Sequence, residues 1–501
     1  MILGLVSFVA VAVLVWGYNR ARPYGKMGIL SWLQSVVLMA PWLLLFGLFT
    51  LGVYPNLAAV LLLVVLSAGV YIALGRQLRL MGADSISAQR AAAMVEGKSA
   101  STPETTDAAE ATLHATNEAA GPTDPDAEPR LTPISAEDMV AIEGIFGVDT
   151  FFRTGTFPYQ SGAYFQGNLR GQPDQTAVTL SQKLEERLEG RYRFSLIEGP
   201  EGRPVAVVMP SENDPRPLSR GQRILAVALA IATLFTSLET GGLLLGFNIT
   251  QNWARLTEVI PIALGLWATL LTHEIGHRWQ ARRHQLKLSW PCFLPAWQLG
   301  SFGAITKFTS LVPNRTALFD VAFAGPATGG AVSLLLLLLG LILSHPGSYF
   351  QMPAEFFQQS VLVGTLSRVV LGAEPFQAEL IDVHPLTIIG WLGLVITALN
   401  LMPAGQLDGG RIVQSIYGRR IAGRATVVTL ILLALVALGN PLALYWAFVI
   451  LFLQRGLERP CTDDLSEPDD ARAALGLLVL FLMLAVLLPL TPSLAGRLGL
   501  G

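Results

Sequence analysis

Apolar residues along this chain gather into runs long enough to cross a bilayer, and the runs fall into three groups. The first group covers residues 2–18, 29–53 and 57–74; the second covers 224–247, 259–279 and 317–343. The third covers 386–403, 425–438, 441–453 and 474–490, and its short break at 438–441 leaves open one bent unit in place of two spans. The pattern predicts a polytopic α-helical membrane protein of about ten spans. Basic residues cluster at alternate ends of these runs. Arg20, Arg22 and Lys26 follow the first run, Arg76 and Arg79 the third, and Arg216, Arg220 and Arg223 precede the second group. The positive-inside rule places these junctions in the cytoplasm and the amino terminus outside. Charges follow the first run instead of preceding it, so it reads as an uncleaved anchor and not a secretory signal.

Two stretches break the apolar pattern. Residues 82–133 are rich in Ala, Thr, Glu, Asp and Pro, cannot bury enough apolar surface to offset their ordering entropy, and read as a disordered linker. Residues 134–215 alternate between helical and strand periodicities. Helices are predicted at 136–147 and 179–189, strands at 150–157 and 163–168, and a hairpin from 192–197 and 205–209. The chain therefore divides into an N-terminal membrane region (1–81), the linker (82–133), a small soluble α+β domain inserted on the cytoplasmic side (134–215), a membrane core (216–456) and a C-terminal loop with a last span (457–501). The loop 344–385 is expected outside the cytoplasm, with a partly amphipathic surface helix. The acidic run Asp463, Asp464, Glu467, Asp469 and Asp470 reads as a solvated loop.

Composition agrees with the pattern. Of 501 residues, 52% are hydrophobic and only 14% charged, with mean hydropathy +0.51, more apolar than a soluble protein of this length. The net charge of −2 carries no footprint for nucleic acid, and no such partner is expected. The two cysteines, Cys292 and Cys461, lie far apart beside basic segments and read as structural thiols, not a disulfide framework.

The chemistry enters at His273-Glu274-Ile275-Gly276-His277, inside the run 259–279. Histidines four apart share one helix face, so both imidazoles can ligate one zinc while Glu274 serves as general base toward water. In a soluble helix the same residues could be two surface histidines and a salt-bridging glutamate. Within a bilayer each ionisable side chain costs at least about 2.5 kcal/mol, so three in one turn call for a compensating partner such as a metal. Arg278, Arg282, Arg283 and Lys287 follow and place the site near the cytoplasmic end of its helix. Catalytic zinc takes three protein ligands, and Asp408, in Asn400-Leu401-Met402-Pro403-Ala404-Gly405-Gln406-Leu407-Asp408-Gly409-Gly410, lies at the same predicted depth. Asp-Gly-Gly after an apolar helix can equally be a plain C-terminal turn.

The two motifs together, HExxH and Asn-x-x-Pro-x-x-x-x-Asp-Gly on a later span, resemble the site-2 protease family of intramembrane zinc metalloproteases. Phe302-Gly303-Ala304-Ile305-Thr306 and Phe323-Ala324-Gly325-Pro326-Ala327 resemble that family's re-entrant substrate-side segment and glycine-containing core helix. Gly167-Asn168-Leu169-Arg170 resembles the GNLR motif of the ethylene-dependent gravitropism-deficient and yellow-green (EGY) branch, found in chloroplasts and cyanobacteria. The resemblance implies that His273, His277 and Asp408 bind Zn2+, that Glu274 activates water, and that Asn400 supports the substrate or transition state; a helix-terminal cap is the other role open to Asn400. It also implies membrane-spanning protein substrates, single-span or polytopic, reached from the lipid bilayer.

A transmembrane substrate must be unwound before cleavage. Residues 289–313 interleave Pro and Gly with aromatics, which fits a re-entrant hairpin whose edge pairs with an extended peptide, or an interfacial loop with aromatic anchors. Gly167 to Arg170 reads as a turn or a docking surface. Two other classes compete with the protease: an ion or metal transporter, which has no need of a glutamate between the histidines, and a catalytically silent zinc-binding scaffold. With no Arg- and Ser-rich transit segment ahead of the first run, the chain is expected in a prokaryotic, cyanobacterial-type plasma or thylakoid membrane.

Overall fold

The β-branched and aromatic alternation of residues 150–209 builds a four-stranded antiparallel sheet backed by two helices in the computed structural model, which describes residues 134–490 apart from 160, 200, 201, 298 and several positions between 438 and 455, and ahead of them scattered positions between 17 and 77. Residues 1–124 form a unit of their own, in which Tyr18 and Trp32 pack edge to face at 5.2 Å. The expected linker at 82–133 and most of the first three apolar runs lie outside the described residues.

In the α+β module, α1 (Ala136–Glu143) is followed by β1 (Phe151–Tyr159), β2 (Gly162–Leu169), α2 (Pro173–Leu188), β3 (Tyr192–Glu198) and β4 (Pro204–Pro210). Strand order is β1-β2-β4-β3, with the β3–β4 hairpin inserted beside β2 and not simply appended. Helix α1 starts where Ser135 caps it by accepting from the Asp138 amide at 3.1 Å, and Pro173 opens α2. One face of the sheet and both helices enclose Phe151, Phe165, Leu180, Leu184 and Leu196. Gly167 to Leu169 belong to β2 and are not a turn: Gly167 pairs with Arg153, and a Cβ there would meet the Phe152 carbonyl and the Phe151 ring.

The membrane core begins at α3 (Arg220–Leu244), entered through a capping box of Ser219 and Gln222, and continues with α4 (Leu256–Arg283), the hairpin β5 (Cys292–Ala296) and β6 (Gly300–Ile305), and α5 (Arg315–Leu343). A small hairpin of β7 (Phe350–Pro353) and β8 (Leu380–Val383) encloses α6 (Ala354–Gln358) and α7 (Val361–Leu371); α8 (Pro385–Asn400), α9 (Asp408–Val436) and α10 (Asp470–Leu487) complete the order. Among the described residues, four helices are long and apolar enough to cross a membrane: α3, α4 with its short lead-in (Trp253–Arg283), α5 and α10. They expose Ile224, Leu264, Ile275, Ile342 and Phe481 at 62–70%, an apolar exterior suited to lipid and costly in water. The expected span at 425–438 is the second half of α9, which bends at Gly418, where φ is +79°. Before the bend the Ser415 and Ile416 carbonyls are capped by buried Arg315, at 2.7 and 2.6 Å.

One reading of a surface segment holds and another changes. Within 344–385, α7 is an amphipathic helix at the surface, with Val363 fully buried, Val369 exposed and the Val361 amide bonded to Leu488. The acidic run is not solvated throughout. Asp463 and Asp464 are buried, burial raises the Asp464 carboxyl above its usual range, and its Oδ1 accepts from the Cys461 amide at 3.2 Å. Leu196 at the β3 edge exchanges hydrogen bonds with Thr462 and Asp464, and the same segment bonds to Val312 and Pro313 just before α5. This segment staples the module to the membrane core.

Candidate metal centre

The centre is built where α4 and α5 approach closely enough to leave no room for side chains between them. A Cβ at Gly276 would overlap the Thr328 hydroxyl and the Ala324 carbonyl, one at Gly325 would overlap the His277 imidazole, and one at Gly329 would stand 2.8 Å from the His273 Cβ. Small residues let helix backbones meet in a bilayer, and here they also make the slot in which both imidazoles stand. The histidines fall on one face because they are four apart in a continuous helix. Asp408 arrives from the opposite side as the first residue of α9, after a turn so tight that Cβ atoms at Gly409 and Gly410 would strike the Leu401 and Ala404 carbonyl regions. The Asp-Gly-Gly segment is therefore not a C-terminal turn: it is the start of α9, and it delivers its carboxylate inward.

The ligand atoms of His273, His277 and Asp408 lie within 4.8 Å of one another. His273 Nε2 is 3.1 Å from His277 Nε2 and 3.1 Å from Asp408 Oδ2, and His277 Nε2 is 3.4 Å from Asp408 Oδ1. Tetrahedral ligands at zinc bond lengths stand about 3.3 Å apart along each edge, so these separations match the edges of a zinc site. The tautomer agrees. His277 Nδ1 lies 2.7 Å from the Val321 carbonyl and donates to it, which leaves the Nε2 lone pair pointing at the cluster. Lone pairs from two imidazoles and a carboxylate converging in an apolar helix pack call for a proton or a cation between them, and the donor set of two nitrogens and one oxygen suits Zn2+.

Glu274, buried at 4% exposure, faces the same space. Both its carboxylate oxygens lie within reach of the Thr306 hydroxyl, at 3.0 and 2.9 Å. Two small cavities of about 10 Å³ each share Glu274, Ala304 and Asn400; one is also lined by His273, the other by His277, Asp408 and Arg411. Each has room for about one water. The hairpin forms one wall, fixed through its turn by Thr236, whose hydroxyl donates to the Gly300 carbonyl at 2.5 Å, and Thr240, which donates to that of Trp297 at 3.2 Å. Of the two readings of 289–313, the hairpin is the one present. Asn400 ends α8 but does not cap it by an outward bond. Its Nδ2 donates back to the Ile396 carbonyl at 2.9 Å and across to Phe302 on β6 at 3.3 Å, and Gly303 (φ +96°) leaves the space it occupies.

Two participants escaped the sequence reading. Thr306 closes the segment Phe302 to Thr306 and holds Glu274. Arg411, a basic residue just past an apolar run, is buried at 5% exposure; it pairs with Glu458 at 2.9 Å, donates to the Thr306 carbonyl at 2.9 Å and stands 3.9 Å from Asp408 Oδ1. The signal for it was its spacing of three from Asp408, which puts both on one helix face. His284 is no ligand: it lies 2.9 Å from Asp320, which Arg472 also engages. Cys292 and Cys461 are free thiols, and burial pushes the Cys461 thiol well up.

Comparison with known proteins matches residues 261–439 to peptidase family M50 and residues 140–215 to the EGY3 middle domain. Among curated relatives, the probable zinc metalloprotease EGY2, chloroplastic, of Oryza sativa subsp. indica is 38% identical over 351 residues, 69% of this chain and 64% of the relative. The protein of the same name from Arabidopsis thaliana is 39% identical over 355 residues, 69% and 63%. The probable zinc metalloprotease EGY1, chloroplastic, of Arabidopsis thaliana is 35% identical over 396 residues, 71% and 72%. The chain thus spans less than two thirds of the length of these EGY2 relatives. No solved structure matches it. All three relatives are plant chloroplast proteins, which lends the expected prokaryotic membrane no support. With 35% identity across 72% of EGY1 and an M50 match that covers both metal motifs, the chain belongs to the EGY branch of peptidase family M50, the site-2 proteases.

Proposed function

We propose that this chain is an intramembrane zinc metalloprotease that hydrolyses peptide bonds of membrane-spanning proteins, in a photosynthetic membrane. The observation that carries the reading is the convergence of His273, His277 and Asp408 beside a buried glutamate inside a helix pack. Zinc held there supplies a Lewis acid that acidifies water and polarises the scissile carbonyl. Glu274 takes the proton of the attacking water on its carboxylate and returns it to the leaving amide nitrogen, and Thr306 keeps that carboxylate aimed. Val321 fixes the tautomer of His277. Asn400 ties β6 to α8, and on substrate entry its amide is placed to exchange the Phe302 carbonyl for the backbone or oxyanion of the peptide. Cavities of about 10 Å³ admit water but no peptide, so the substrate must part the hairpin from α4 and α8, and β6 then offers an edge to an unwound strand.

In the full arrangement the core at 216–456 carries the chemistry, with about ten spans in all, the α+β module at 134–215 on the cytoplasmic side, an anchor region at 1–81 joined by the linker 82–133, and the segment 457–501 stapling the module and adding the last span. A transporter or a silent scaffold has no support in the comparisons. The test is cleavage of single-span reporters in liposomes by the full chain and by Glu274→Gln. Hydrolysis by the former and none by the latter is expected; equal cleavage by both removes Glu274 from the reaction.

A further inference from the structure

At the end of the spans where α3 begins and the module attaches, a roomier cavity of about 240 Å³ opens beside the metal centre. Gln406 lines both this cavity and the one holding Glu274, His277 and Asp408, so the two are neighbours through a single side chain. Three cations stand around the larger cavity: Arg216, Lys307 and Arg459. Arg216 donates to the Glu212 carbonyl at 3.0 Å and Arg459 to that of Asn213, neutral acceptors that leave the charges uncompensated. Among the described residues the only carboxylate in the lining is Glu458, and it is already held by Arg411. Among the described residues no carboxylate pairs with Arg216, Lys307 or Arg459. Lys307 also follows directly on Thr306, the residue that holds the general base.

We propose that this mouth is a docking site for an acidic flank on the substrate, a cluster of Asp or Glu just beyond the end of its span, and that it selects which membrane proteins are cut. The proposal rests on the protease reading above. By the topology read from the basic clusters, the mouth faces the side on which ordinary spans carry Lys and Arg. Three uncompensated cations repel that common flank and attract the uncommon acidic one, so the mouth works by rejection as much as by attraction. Exposed charge pairs are individually weak, but three acting together shift the preference by about tenfold.

The experiment compares two single-span reporters that differ only in carrying three Glu or three Lys after the span, with the full chain in phosphatidylcholine liposomes. Expected is a kcat/KM about tenfold higher for the Glu reporter, shrinking with added salt. The variant Arg216→Gln, Lys307→Gln, Arg459→Gln should bring the ratio close to one, and Lys307→Glu with Arg459→Glu should turn it toward the Lys reporter. Equal cleavage of both reporters by the unaltered chain, or a preference that survives the triple variant, overturns the proposal. So does a loss confined to vesicles containing an anionic lipid and equal for both reporters, since the cations then serve headgroups. If neither reporter is cut, the protease reading fails, and the mouth is judged by titrating fluorescent versions of both reporters onto the Glu274→Gln chain: tighter binding of the Glu reporter, lost in the triple variant, supports it, and equal binding overturns it.

Discussion

The α+β module and the membrane core of this chain are packed on opposite terms. The module encloses large apolar side chains, with Phe151, Phe165, Leu180 and Leu196 at 0% exposure, and is held by the transfer of that surface out of water. The core also buries large side chains such as Phe319 and Phe357, but its surroundings are as apolar as its interior, and α4, α5 and α8 meet through missing side chains: Gly276, Gly325 and Gly329 between α4 and α5, Gly390 and Gly393 between α5 and α8. Helix close approach in the core is also what positions His273 and His277. A change of shape in the module should therefore cost stability, and a change of shape in the core should cost chemistry.

The largest expected effect is in the core and leaves shape intact. Glu274→Gln should lower kcat by about a thousandfold while zinc content is kept, because the amide fills the same space without accepting a proton. Metal analysis beside turnover checks it, and loss of zinc in this variant would make Glu274 a ligand or a folding residue instead. Next comes Gly325→Ala, a methyl directed at the His277 imidazole, which should weaken zinc binding by about tenfold or more at nearly unchanged helix content. Competition with a chelator reads it directly, and unaltered affinity would break the link between packing and chemistry. Thr306→Val should lower kcat by about tenfold with zinc retained, since it frees the Glu274 carboxylate. If KM carries the whole effect, Thr306 acts on substrate and not on the base.

In the module, Leu184→Ala should destabilise it by about 2–5 kcal/mol and leave zinc affinity unchanged, as proteolysis of the module against metal content will show. The smallest effect is at Tyr192. Burial, and then its bond to Asp138, push the Tyr192 hydroxyl up to about 12, while that same bond holds the Asp138 carboxyl below its usual range. The Tyr192 contribution is in place below its ordinary titration range and is lost as pH rises toward 12; that of Asp138 is lost as pH falls through its depressed value. Tyr192→Phe should lower the unfolding temperature of the module by a few degrees and flatten its alkaline limb.

The module was legible because strand and helix periodicities differ, and β1 to β4 stand where alternation places them. Strand order was not, since no local pattern tells that β4 inserts between β2 and β3. That His273 and His277 stand together was legible from spacing on one helix, and that Asp408 joins them from its predicted depth. Arg411 and Thr306 were hidden for opposite reasons. An arginine beyond an apolar run reads as a solvated charge, and only the fold shows its buried pairing with Glu458; a threonine offers no pattern at all until the hairpin brings it to Glu274. The acidic run misled in the same way, because a row of aspartates says nothing about backbone partners such as Leu196.

The most direct test of the account is the zinc content of the full chain purified in detergent, measured with Asp408→Ala alongside it. The account predicts one tightly held zinc in the unaltered chain and a large loss in the variant, because the carboxylate that faces both imidazoles at 3.1 and 3.4 Å is then gone. An unaltered chain that holds no zinc after loading, or an Asp408→Ala chain that holds it as tightly, would contradict the three-ligand centre.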